Sequence, residues 1–298
     1  LYLLQKSLLV SNLHYLIYMS EDDNFRIKFW GVRGSVPCPG PKTVRYGGNT
    51  TCMEINCGSH VLAVDAGSGI RELGISLMNR GGPISADIFF THTHLDHVTG
   101  FPFFGPFYNP QNNFNLYAGH LTAPQNLENV LKNMIITDPM FPVPASVILG
   151  CCTFNEFNSG DEIRPHEGIV IKTASLNHPN GACGYRIEYK DHSIAVITDT
   201  EHPEEGMDEN VLHLVQDADV MVYDSAYTDE EYPKFKGWGH STWQMAVKIA
   251  EFANVTKTVL FHHDPSHDDD RMDEIAEQAA AARFGTEPAR EGMVIKVC

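Results

Sequence analysis

Positive charge is scarce in this chain. Against 21 Lys and Arg stand 38 Asp and Glu, a formal net charge of −17 over 298 residues. Such a balance repels polyanions, so long nucleic acids are not expected as partners. C-x-x-C pairs are missing, and the cysteines, Cys38, Cys52, Cys57, Cys151, Cys152, Cys183 and Cys298, are odd in number. That argues against a disulfide framework and for a reducing, cytoplasmic setting. Gly31, Gly34, Gly47 and Gly48 make loops without the spacing of a phosphate-binding fingerprint, and no internal repeat of short period is present. A membrane-length apolar run is lacking too. Segment 1–18 is apolar, with Lys6 as its one charge, but Ser11, Asn12 and His14 interrupt it and no small-residue cleavage site follows. Met19-Ser20-Glu21-Asp22-Asp23 reads as a natural start, so 1–18 is read as an upstream or artificially added segment, with a weak signal anchor as the alternative, and 19–298 as one domain.

Histidine, by contrast, is concentrated. Thr91-His92-Thr93-His94-Leu95-Asp96-His97 follows the apolar run Ile88-Phe89-Phe90, which puts three imidazoles and a carboxylate at the end of an expected strand. Donors at that density are the signature of a metal site; a solvated histidine-rich loop is the bland alternative. His92 and His94, two apart on extended chain, point the same way and can grip one ion. A helix beginning near Leu95 would project Asp96 and His97 toward a second position. The spacing therefore implies two metals, and cations about 3.5–4 Å apart hold a hydroxide that is a nucleophile at neutral pH.

One cluster of four cannot complete two coordination shells. Single candidates close β-like runs downstream: His178 after Ala174-Ser175-Leu176-Asn177, Asp199 after Ala195-Val196-Ile197-Thr198, and His262 after Val259-Leu260-Phe261. Open sheets present ligands at such strand ends.

Together these residues resemble the metallo-β-lactamase superfamily, in the branch containing ribonuclease Z and the phosphoribosyl cyclic phosphodiesterases. The landmarks are Val64-Asp65-Ala66-Gly67, the histidine cluster, His178, Thr198-Asp199-Thr200, His240-Ser241-Thr242 and Phe261-His262, and the likeness runs from Arg26 onward. The resemblance implies one metal on His92, His94, His178 and Asp199, and another on Asp96, His97, Asp199 and His262, with Asp199 shared. A carboxylate at position 199, where lactam-hydrolysing members carry Cys, suits two Zn²⁺, with Mn²⁺ or Fe²⁺ as alternatives, and favours phosphate esters over antibiotics. His262 and His263 compete for one place; alignment favours His262, leaving His263 to face the other side of the sheet or to support a ligand. Asp65 would orient a bound imidazole, or cap the turn at Gly67. His240 would assist the leaving oxygen, with Asp224 holding its tautomer, and Ser241 or Thr242 would cap the helix that follows. The branch also implies a homodimer, and the Gly-rich basic arm that ribonuclease Z uses on transfer RNA has no counterpart here.

Apolar residues make up 43% of the chain, enough for one large core. Expected strands at 26–30, 51–56, 60–65, 86–91, 115–118, 169–174, 184–189, 193–198, 219–223 and 257–261 alternate with expected helices at 70–79, 124–134, 207–216, 242–253 and 270–283. That alternation is α/β, with helices outside sheets. The resemblance makes it a four-layer αβ/βα sandwich with metals at the shared sheet edge. Segment 101–110 holds five aromatics and three prolines, an ordered surface loop whose Phe103, Phe104, Phe107 and Tyr108 either stack on a substrate or form a satellite core.

The resulting expectation is a dinuclear-metal phosphodiesterase. A hydroxide held by Asp96 and Asp199 attacks a small phosphoester, a cyclic nucleotide or a ribose cyclic phosphate, and His240 helps the alkoxide leave. Two cations add about four positive charges locally, which offsets the acidic surroundings. Phosphotriesters or sulfate esters are plausible side substrates; a β-lactam or thioester hydrolase and a metal-dependent binding protein are the rival readings.

Overall fold

The computed structural model describes residues 24–298. The expectations for segment 1–18 and for a start at Met19 fall outside the described residues.

The first half runs β1 (Phe25–Gly31), β2 (Cys52–Cys57), β3 (His60–Val64), helix α1 (Ile70–Met78), β4 (Ser85–Phe90), the single turn α2 (Leu95–Val98) and β5 (Asn113–Ala118). Short turns α3 (Leu127–Val130) and α4 (Ala145–Ile148) then lead to β6 (Cys152–Glu156). The second half comprises β7 (Glu162–Ile163), β8 (Ile169–Leu176), β9 (Ala182–Tyr189), β10 (His192–Ile197), α5 (Glu209–Val215), β11 (Val220–Asp224), α6 (Trp243–Phe252), β12 (Lys257–Phe261), α7 (Asp269–Ala282), β13 (Thr286–Pro288) and β14 (Val294–Lys296). The strands form two sheets of seven, ordered β14-β1-β2-β3-β4-β5-β6 and β13-β12-β11-β10-β9-β8-β7.

The layering follows from side chains that alternate along buried strands. Ile194 and Val196 of β10, Val220 and Val222 of β11, and Val259 and Phe261 of β12 face inward onto Phe25, Phe29, Ile55 and Val64 of the other sheet. Their neighbours Ala195, Ile197, Met221, Tyr223 and Leu260 face outward and pack under α5, α6 and α7 through Leu214, Ile249 and Ile275. The first sheet repeats the scheme: Phe89 enters the shared core, while Ala86, Ile88 and Phe90 pack under α1 with Leu73 and Leu77. The result is the expected αβ/βα sandwich.

Within each sheet the strands that matter are parallel. β3, β4 and β5 pair in parallel, as do β10, β11, β12 and β13, so their C-terminal ends line one edge of each sheet. Helix caps hold the approach to that edge. Asp208 accepts from the N–H groups of Asn210 and Val211, Thr242 from Met245, and Asp268 from Arg271.

Some elements differ from the sequence reading. The helix expected over 124–134 is one α turn followed by a π turn, Leu131–Ile135. β6, β7, β13 and β14 were not anticipated; β7, β13 and β14 span two or three residues, too few for a periodic signal. The aromatic segment folds as two 3-10 turns, Phe101–Phe103 and Gly105–Tyr108, with Phe101, Phe104 and Phe107 sealed in the core over the first sheet. Among the described residues, no helix is long and apolar enough to cross a membrane.

Candidate metal centre

Asp65 and His262 directly follow the last residue of a strand and Asp199 stands two residues past one, and each adopts left-handed backbone, with φ of 64°, 61° and 60° respectively. Such φ values are costly for residues with a Cβ and persist where the surroundings fix them, which points to a functional edge. α2 starts at Leu95, so Asp96 and His97 project from its first turn while His92 and His94 remain on extended chain.

The side chains converge in two groups, His92, His94 and His178, and Asp96, His97, Asp199 and His262, with the donor atoms of each group within 4.8 Å of one another. His94 Nδ1 lies 2.9 Å from His92 Nε2 and 3.0 Å from His178 Nε2. Asp199 Oδ1 lies 3.8 Å from both His92 Nε2 and His178 Nε2, and 3.2 Å from His262 Nε2. Its Oδ2 is 3.3 Å from His97 Nε2. Asp96 Oδ2 completes the second group, 3.2 Å from His262 Nε2 and 3.4 Å from His97 Nε2. Asp199 is thus a member of the second group that also borders the first.

These donors fit divalent cations. Four ligands at about 2.0–2.1 Å around a tetrahedral ion lie roughly 3.3 Å apart, the middle of the observed spacings. Among the described residues His97 Nε2 is buried without a hydrogen-bond partner, while its other nitrogen meets Asp65. Burial keeps His92, His94 and His178 below the ordinary imidazole value, so they offer neutral lone pairs. For His97 burial acts in the same direction, but Asp199, Asp96 and Asp65 outweigh it and raise this group well above the usual value. His262, likewise opposed by burial, is pushed up to about 9 by Asp199 and Asp96.

A shell of contacts fixes the donors. Asp65 Oδ2 lies 2.8 Å from His97 Nδ1, and the Asp65 carboxylate accepts from the Thr91 N–H and hydroxyl. The Ser35 N–H donates to Asp96 Oδ2 at 2.7 Å. His178 Nδ1 donates to the Gly239 carbonyl at 2.8 Å, and the Gly237 and Gly239 N–H groups are held by the Glu201 carboxylate. A Cβ on Gly34 would stand 2.2 Å from the His262 ring, and one on Gly239 2.4 Å from the His178 ring.

His240 stands beside the second group. Its Nδ1 lies 2.8 Å from Asp224 Oδ2 and 3.9 Å from Asp199 Oδ1, and its ring stacks on His262 with centroids 4.7 Å apart. Asp224 also accepts from the Thr200, Ala226 and Ser241 N–H groups. Thr242, not Ser241, caps α6; Ser241 Oγ instead meets His202 Nδ1 at 2.8 Å.

Other expected residues lie elsewhere. His263 points its Nε2 at the Ala289 carbonyl and its ring at Tyr46, away from both groups. Phe104 and Phe107 are each 1% exposed, so the expectation that they contact substrate is corrected: they are core residues. Phe103 packs edge-on against Phe141 and the Tyr108 hydroxyl donates to the Pro102 carbonyl. None of these four aromatics lines the cavity next to His92 and His94, which is bounded instead by residues such as His120, Gln125 and Asn180. His120 ends up there because it follows β5, the same strand-end signal that flagged Asp199 and His262. Ser35, Gly34 and Glu201 carried no comparable signal.

Two facing mixed sheets, helices on both outer faces and a histidine-aspartate cluster at the shared edge define a metal-hydrolase sandwich. The family model described as "Beta-lactamase superfamily domain" matches residues 60–263, and the chain belongs to that superfamily. It is similar to a protein named ribonuclease Z from Haloarcula marismortui, 23% identical over 286 residues that cover 80% of this chain and 85% of the relative. Among solved structures it is similar to Zn²⁺-bound PqqB from Methylobacterium extorquens, with TM-score 0.70, 15% identity, and coverage of 91% of this chain and 99% of the other. A diphosphatase of the PhnP family superposes with TM-score 0.67, 18% identity, and coverage of 91% and 97%.

Proposed function

We propose that this chain is a metal-dependent phosphodiesterase acting on a small ester, with a cyclic nucleotide or a ribose cyclic phosphate as the leading candidates. The observation that carries this reading is the carboxylate of Asp199, which faces His92, His178, His262 and His240 through Oδ1 and His97 through Oδ2. An oxygen ligand shared by two cations suits chemistry in which both touch one phosphoryl group. The names of the ribonuclease and the diphosphatase support a phosphoester class.

His92, His94, His178 and Asp199 would hold one cation, and Asp96, His97, His262 and Asp199 the other, with zinc first and manganese or iron as alternatives. Cations bound there supply Lewis acidity to phosphoryl oxygens and make a coordinated water acidic. The residues do the rest. Asp65 and Thr91 fix the ring of His97, and Ser35 fixes Asp96. Asp96 and Asp199 orient the attacking water. Asp224 accepts from Nδ1 of His240, which holds the ring and its tautomer, and His240 would assist the departing alkoxide.

A second reading, cleavage of RNA, is favoured by the name of the Haloarcula relative. The net charge of −17 opposes it. The test is one panel with added Zn²⁺ or Mn²⁺: bis-p-nitrophenyl phosphate, cyclic nucleotides, a ribose cyclic phosphate, a transfer RNA precursor, a β-lactam and a glutathione thioester. Turnover confined to the small phosphodiesters is expected. Turnover of the RNA, the lactam or the thioester alone would replace the reading.

A further inference from the structure

We infer that the cavity beside His92 and His94 is the seat of a nucleobase on the ester's organic side, with Gln125 and Asn180 reading its edge. The inference rests on the phosphodiesterase reading above, which places the phosphoryl group at the histidine-aspartate cluster.

The cavity measures about 440 Å³, within the roughly 300–1,000 Å³ typical of small-molecule sites. His92 and His94 form one wall, so a group attached to a phosphate held at the cluster enters it directly. The remaining surface has two characters. Leu121, Val130 and Met134 supply apolar contact, and Gln125, His120 and Asn180 supply hydrogen-bonding groups. Among the described residues, none lining it is Lys, Arg, Asp or Glu. A second phosphate or a free carboxylate would find no counter-charge there. An uncharged, planar, apolar-faced group with a polar rim meets each requirement.

Details of the wall favour a base over a bare sugar. The Asn180 carboxamide lies against the outer nitrogen of His94, Nδ2 to Nε2 at 3.3 Å, which ties it to the cluster at the rim of the cavity. Gln125 is exposed and its carboxamide has no hydrogen-bond partner among the described residues. Paired carboxamide donor and acceptor match the edge of a heterocycle. His120 holds Thr93 Oγ1 through Nε2 at 3.2 Å and stands edge-on to His92, while its Nδ1 is buried without a partner.

A neighbouring cavity of about 410 Å³ shares Leu121 and Gln125, and Glu156 is the one charged residue along it. A carboxylate there repels a further phosphodiester. The pair of cavities therefore suits a mononucleotide over a polynucleotide that continues past the base.

The test uses the full chain and two exposed positions, Gln125→Ala and Met134→Asp. Binding of adenosine and uridine, which carry no phosphate, is measured by calorimetry with ribose 5-phosphate as the comparison. In parallel, kcat/KM for a nucleoside cyclic phosphate is divided by that for methyl p-nitrophenyl phosphate in the Zn²⁺- or Mn²⁺-loaded protein. At least one nucleoside is expected to bind more tightly than ribose 5-phosphate, and each substitution to weaken that binding and lower the ratio at least fivefold. The subsite is overturned if neither nucleoside binds, or if binding and ratio are unmoved by both substitutions while the small ester is still cleaved. Nucleoside binding that both substitutions weaken, in a protein that cleaves no phosphodiester, would instead uphold the subsite and remove the catalytic reading.

Discussion

Oδ2 of Asp65 lies 2.8 Å from Nδ1 of His97, and both side chains are wholly buried. The pair fixes one imidazole nitrogen and leaves the other facing Asp96 and Asp199. Carboxylates in this position set the tautomer and orientation of a metal-binding histidine. Asp65→Asn should therefore weaken metal retention about 10–100-fold, the usual cost of losing such a partner. Competition with a chelator measures it, and unchanged affinity would make the contact purely structural.

Gly34→Ala places a methyl group 2.2 Å from the His262 ring. His262 cannot retreat easily, since it is 2% exposed and held at φ 61°. The variant should keep its circular dichroism and lose bound metal, with activity reduced at least tenfold. Wild-type metal content in a folded variant would show that the ring moves aside freely.

His240→Ala should retain metal while turnover falls about 10²–10⁴-fold, the range typical of a lost general acid. Asp224→Asn should fall in the same direction, because Asp224 is the partner of His240 Nδ1. Stopped-flow turnover beside elemental analysis separates the two effects. Loss of metal in the His240 variant would recast that residue as a ligand, in keeping with its place near Asp224, Asp199 and His262.

Acid stability offers a check on the cavity wall. Burial lowers His120 from 6.5 to about 4 in the folded chain. Its neutral form thus contributes stability that is complete above pH 6.5 and is lost as pH falls through about 4, because the unfolded chain binds the proton more tightly. Melting curves of metal-free protein between pH 7 and 4 should fall less steeply for His120→Gln than for the parent. Parallel curves would mean that the imidazole titrates normally.

Much of this was legible in the chain because the site is written at strand ends. The runs ending at Phe90, Ile197 and Phe261 are apolar enough to identify buried strands, and each is followed within two residues by His92, Asp199 or His262. Parallel pairing then brings those ends to one edge, and unbroken apolar runs such as these are what parallel strands covered on both faces show. The aromatic segment was ambiguous for a physical reason. Proline excludes regular structure but does not say which side of a 3-10 turn faces inward, and Phe101, Phe104 and Phe107 recur at the spacing that buries one face. Supporting contacts such as Ser35 to Asp96, 61 residues apart, depend on loop geometry and left no local pattern.

The central claim is that Asp199 is shared by two cations. Elemental analysis of purified protein, loaded with Zn²⁺ or Mn²⁺ and desalted, tests it most directly when parent and Asp199→Ala are compared. The account predicts about two ions per chain in the parent, and in the variant loss of at least one ion together with all phosphodiester turnover. A parent that binds a single ion, or a variant that keeps both ions and its activity, would contradict it.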